Sequence, residues 1–137
     1  INSLFIMLKT KSILAPIEES DGRRISVMSR HTLNDGITPD DRITSDKYDS
    51  HLTAFAPPLK LVGAYYKQRV DWTEFEMQYL EYLRTPKMRE QVRSLAAESL
   101  ETTITIMCIE ETPDKCHRRL LAEECLTYQS GLQVLIE

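Results

Sequence analysis

The run Thr103-Ile104-Thr105-Ile106-Met107-Cys108-Ile109 constrains this chain more than any other segment. It is uncharged and rich in β-branched residues, the composition of a central strand buried on both faces. A short acidic loop follows, Glu110 to Lys115. From about His117 to Tyr128, Leu120, Leu121, Glu124 and Cys125 then recur at helical spacing, and past Gly131 lies an apolar stretch, Leu132 to Ile136. Strand, helix and strand in succession are the pattern of a parallel sheet. The predicted fold class is α/β: a single domain over residues 1–137, a mostly parallel β-sheet flanked by helices.

Earlier in the chain the signals are more local. Phe5 to Leu8, or the stretch just after it, suits a first strand limited by Pro16, and Glu18-Glu19-Ser20-Asp21-Gly22 reads as a polar turn. Arg24 to Ser29 suits a second strand, with Arg30 at its C-terminal end. Residues 31–47 form the longest loop, and Tyr48 to Phe55 is expected as a short helix closed by Pro57-Pro58. Leu59 to Arg69 reads as a helix despite Gly63. Asp71 and Glu74 have the spacing of a capping box, and Trp72, Phe75, Tyr79, Tyr82 and Leu83 share one apolar helix face. Thr85-Pro86 ends that helix and opens another, with Met88, Val92, Leu95 and Ala96 as its buried stripe.

The formal net charge of −4 argues against broad attraction to nucleic acid or an anionic membrane. The apolar run Leu4 to Leu8 is too short to span a bilayer, and its lysines follow it instead of preceding it, unlike a signal peptide. Three cysteines, Cys108, Cys116 and Cys125, lie close together without a visible disulfide framework. That usage points to a reducing compartment and a cytoplasmic location.

Open α/β sheets bind ligands beyond the carboxyl ends of their strands. Arg30, Cys108, Glu110, Cys116, His117 and Arg118 all fall at such ends in this reading. Cys116 and His117 open a helix, where free N–H groups favour anions and thiolates, so Cys116 is expected as the most reactive thiol and a nucleophile. Glu110 or His117 would act as acid or base, with Arg30, Arg118 and Cys108 holding the ligand. The expected partner is a small anionic or phosphate-bearing ligand, with no cofactor. Cys108, Cys116 and His117 supply three soft ligands but no evident fourth, so no metal is expected. The competing reading is a non-enzymatic domain in which an Arg118–Glu110 or Arg30–Glu110 bridge ties strand ends to the helix. His31 and His51 are expected to be solvated, and Asp40-Asp41 reads as an ordinary loop pair.

The segment from Cys108-Ile109-Glu110 through Pro113 to Cys116-His117-Arg118 resembles the signature of the domain of unknown function 488 family: a buried strand ending in Cys-x-Glu, a short Pro-containing loop, and Cys-His-Arg opening a helix. The Trp72 to Leu83 helix and Arg30 after an early strand are similar to further family features. Many members place an aspartate beside that arginine, where this chain has Ser29. The resemblance, over most of residues 9–136, implies an α/β fold with Arg30, Cys108, Glu110, Cys116, His117 and Arg118 near one another. It implies no particular substrate.

Overall fold

The computed structural model describes residues 6–137; Leu4 and Phe5, part of the first apolar run, lie outside them. Five strands, β1 (Leu8–Ser12), β2 (Arg23–Ser26), β3 (Ser50–His51), β4 (Ile104–Cys108) and β5 (Val134–Ile136), form one sheet in the order β3-β2-β4-β1-β5. Every pairing is parallel, with Thr10 beside Ile106 and Ile25 beside the same residue from the other side. Four helices accompany the sheet: α1 (Leu59–Tyr66), α2 (Trp72–Leu83), α3 (Pro86–Glu98) and α4 (His117–Tyr128). The α/β reading and its parallel sheet are what the chain adopts.

Alternation along the strands divides the sheet into two unlike faces. Leu8, Ile25, Ile104 and Ile106 belong to one cluster with Phe75, Tyr79, Leu83, Val92, Leu120 and Leu121, so the helices cover that face. Asp71 caps α2 by accepting from the Glu74 N–H at 2.8 Å, and Pro86 opens α3, as their spacing predicts.

The other face carries Lys9, Lys11, Arg24 and Thr105, all buried. The central carboxylate for these strand cations is Asp21, which is fully buried, and Lys11 Nζ also reaches Glu18 Oε1 at 2.9 Å. Asp21 accepts from Lys9 Nζ at 2.9 Å and Lys11 Nζ at 3.1 Å, and pairs closely with Arg24. Burial opposes this carboxylate's charge, yet the lysines and the Glu18 N–H hold its pKa down at about 2. The 18–22 turn thus supplies the counter-charge for a whole sheet face. Gly22 makes the approach possible: its φ is +63°, and a Cβ there would stand 2.2 Å from the Thr103 carbonyl oxygen.

Two expectations about the early chain are corrected. Tyr48 to Phe55 is not a helix: Ser50–His51 pairs with β2 as an edge strand, and a single 3₁₀ turn follows at Thr53–Phe55. The second strand ends at Ser26, so Arg30 sits in the loop beyond it.

Candidate functional site

At the carboxyl edge of the sheet the 28–42 loop, α1, the start of α2 and the 108–117 segment enclose a cleft of about 780 Å³. Arg30, Cys108, Glu110, Cys116 and His117 line it, so five of the six anticipated residues converge there. Arg30 is exposed and gives one hydrogen bond, from Nη1 to the Gly36 carbonyl at 3.0 Å. A bridge between Thr32 and Pro39 shapes the loop into a hairpin. Asp35 stiffens its tip by accepting from the N–H groups of Ile37 and Thr38. Asp40 is buried, paired with Arg42 through two side-chain bonds, and not a loosely solvated loop acid.

Arg118 is the sixth residue, and the structure places it elsewhere. Its side chain is fully buried and turned inward from the cleft wall. Nη1 reaches the Glu110 carbonyl at 2.8 Å, and Nε and Nη2 each reach the main-chain oxygen of Glu137 at 3.3 Å. The same Nη1 lies 3.3 Å from Cys108 Sγ and 3.3 Å from Cys116 Sγ. Arg118 is therefore no donor to a ligand in the cleft. Among the described residues neither Arg118 nor Arg30 forms an ion pair with the Glu110 carboxylate, so neither bridge of the competing reading is made.

The cysteines correct the expectation most sharply. Cys108, last residue of β4, and Cys116, N-cap of α4, are joined by a disulfide that closes the 109–115 loop, and Cys125 alone is a free, buried thiol. In this form Cys116 has no thiolate and cannot be the reactive nucleophile. Burial pushes the Cys125 thiol up to about 12 and leaves it inert. Both spacing and composition concealed the bond, because the pair stands eight positions apart and no second pair accompanies it.

His117 is buried on the first turn of α4, edge-on to the Tyr79 ring. Its Nε2 lies 2.7 Å from the Val27 carbonyl. A carbonyl only accepts, so Nε2 carries the proton and Nδ1 the lone pair. Burial drives this imidazole's pKa down to about 4, against the raising effect of the Val27 bond. Glu110 is half-buried, and burial raises its carboxyl above the usual range despite the nearby charge of Arg118. The ligand atoms of Cys108, Cys116 and His117 lie within 4.8 Å of one another. They fit a metal poorly: the sulfurs are bonded together, and a guanidinium standing against both opposes a cation.

Sequence reasoning missed the wall opposite the disulfide. Tyr65, Tyr66, Trp72 and Phe75 line the cleft, with Trp72 and Phe75 stacked at 5.1 Å between ring centroids. Helical spacing assigns Trp72 and Phe75 to a buried face but cannot show where that face runs out into a cleft. His31 and His51 are half-buried and joined: their rings stack at 4.0 Å, His31 Nε2 is 2.8 Å from Ser26 Oγ, and His51 Nε2 donates to the Met28 carbonyl at 2.6 Å.

No described helix is long and apolar enough to cross a membrane. A family model described as "Active DUF488-N3 subclade" matches residues 8–129. No curated protein and no solved structure matches the chain.

Proposed function

The chain belongs to the domain of unknown function 488 family, and we propose that its cleft binds a small anionic or phosphate-bearing ligand and acts on it by acid–base chemistry. Arg30 is the anchoring cation and Glu110 the group that exchanges a proton. The observation that carries this reading is the charge balance of the cleft. Asp40 is committed to Arg42, and Asp35 to its own turn. Arg30, Lys67 and Lys115 also line the cleft and form no ion pair among the described residues. An anion entering there meets cations that no carboxylate pairs with, beside the one uncommitted lining carboxylate, Glu110.

Glu110 suits the chemical role better than His117. Burial raises its pKa, the direction that suits a proton-exchanging carboxyl. His117 is neutral and a weak base, with one nitrogen committed to Val27. The description of the matched subclade as active accords with a catalytic role. The aromatic wall would hold the apolar body of the ligand.

A second reading, a purely structural network, has one observation in its favour: Arg118 spends all its hydrogen bonds inside the protein. It does not account for the cleft. Titration of the protein with inorganic phosphate, followed by NMR, separates the two. Saturable shifts at Arg30 and Lys115, weakened roughly tenfold by Arg30→Gln, are expected for loss of one charge-assisted contact. Equal binding by wild type and R30Q would remove Arg30 from the role.

A further inference from the structure

We propose that Cys108 and Cys116 form a reversible thiol–disulfide couple serviced by low-molecular-weight thiols, with Arg118 as the buried counter-charge of its reduced form. The inference goes beyond the anion-binding reading and stands on different residues. It starts from an electrostatic imbalance. Arg118 is fully buried, yet among the described residues no carboxylate side chain lies within ion-pair distance of it. Its partners are main-chain oxygens and the two sulfurs. A buried guanidinium whose nearest opposing charge, Glu110, acts only from beyond ion-pair distance is costly, and a neutral disulfide offers only weak acceptors. Reduction changes that: each sulfur of the bonded pair lies 3.3 Å from Nη1, so a thiolate formed on either one would arise beside the guanidinium. The guanidinium is placed symmetrically between the two sulfurs, as a site that stabilises a leaving sulfur would require.

Location supports exchange with a small molecule. Both cysteines line the cleft, so a small thiol that enters it comes beside the bond, although each residue is only 1% exposed. Cys125 is remote from this chemistry, buried with its sulfur against the Val92 carbonyl.

The exchange balances as follows. A thiolate RS⁻ attacks one sulfur of the Cys108–Cys116 bond, forming a mixed disulfide, and the other sulfur leaves as a thiolate held by Arg118. A second RS⁻ attacks the R-side sulfur of the mixed disulfide, releasing RSSR and the second protein thiolate, which takes a proton from solvent. Two electrons pass from two thiols to the protein. The reverse sequence, driven by a small disulfide, restores the bond.

The test equilibrates the native protein in glutathione redox buffers of graded composition, then quenches by alkylation and reads each cysteine by peptide mass. Cys108 and Cys116 are expected to gain and lose label together and reversibly, with Cys125 unlabelled until unfolding. In the reduced protein, ultraviolet thiolate absorbance is expected to titrate about two units below the ordinary thiol value of about 8.5. In Arg118→Lys, which keeps the charge but moves it, that titration should shift back toward the ordinary value. Should an Arg118 variant fail to fold, the wild-type titration alone decides. A bond that resists reduction until the protein unfolds would overturn the proposal, as would a reduced protein whose thiols titrate at or above the ordinary value. Either result leaves the phosphate experiment with R30Q untouched.

Discussion

His117 Nε2 donates to the Val27 carbonyl at 2.7 Å, tying the start of α4 to the loop that leaves β2. The ring can make this bond in either protonation state; burial is what holds it neutral, with a pKa of about 4. Between the ordinary value of 6.5 and about 4 the unfolded chain binds a proton that the folded one refuses. Stability is therefore complete above pH 6.5 and falls as the pH drops through this window, by about 3 kcal/mol. His31, lowered by burial and by the charge of His51, adds a slope of the same sign. Urea unfolding from pH 7 to pH 4 should show the loss. His117→Gln, which keeps an N–H donor without titrating, should flatten most of it; an unchanged slope would assign the effect elsewhere.

Asp21 acts in a lower window. Its folded pKa of about 2 lies below the ordinary 3.8, so its contribution is present above pH 3.8 and lost as the pH falls toward 2. Replacing it removes the charge that Lys9, Lys11 and Arg24 share. Asp21→Asn should cost about 3–5 kcal/mol at pH 7, the magnitude expected when a buried charge loses its partner. Chemical denaturation measures it, and a cost below about 1 kcal/mol would show that water, not Asp21, satisfies those cations.

Two glycines should respond in opposite directions. Gly22→Ala brings a Cβ to within 2.2 Å of main-chain oxygen at a positive φ, so the strand junction must shift and stability should fall by about 2–4 kcal/mol. Gly63→Ala, inside α1 with open space around it, should gain about 0.5–1 kcal/mol in the same assay.

Arg118→Leu should destabilise by about 3 kcal/mol or more, because the Glu110 carbonyl and the Glu137 main-chain oxygen lose a shared donor inside the protein. Arg30→Gln, at an exposed position, should stay within about 0.5 kcal/mol of wild type. Thermal unfolding of the two variants side by side checks whether one arginine belongs to the fold and the other to the cleft.

How much of this was legible in the sequence follows from how local each signal is. The Thr103 to Ile109 strand, the capped helix after Asp71 and the helix from His117 are written in neighbouring residues, and they stand where their spacing puts them. The same locality gathered five cleft residues near strand ends. Lys9 and Lys11 left the first strand's placement open between Phe5–Leu8 and the stretch after it, because their burial depends on Asp21, ten or more residues away. Ser50–His51 is too short to show a period and exists only by pairing with β2. Arg118 has the chemistry of an anion donor, and only the packing of α4 on the strand ends turns it toward the sulfurs.

The cleft's claim to be the functional site is tested most directly by a crystal structure of the protein soaked in phosphate. Anion density is expected within hydrogen-bond distance of the Arg30 guanidinium, in the cleft that Glu110 and Lys115 also line. Density confined to other surfaces, with the Arg30 side chain unmoved and the cleft empty of anion, would contradict that claim.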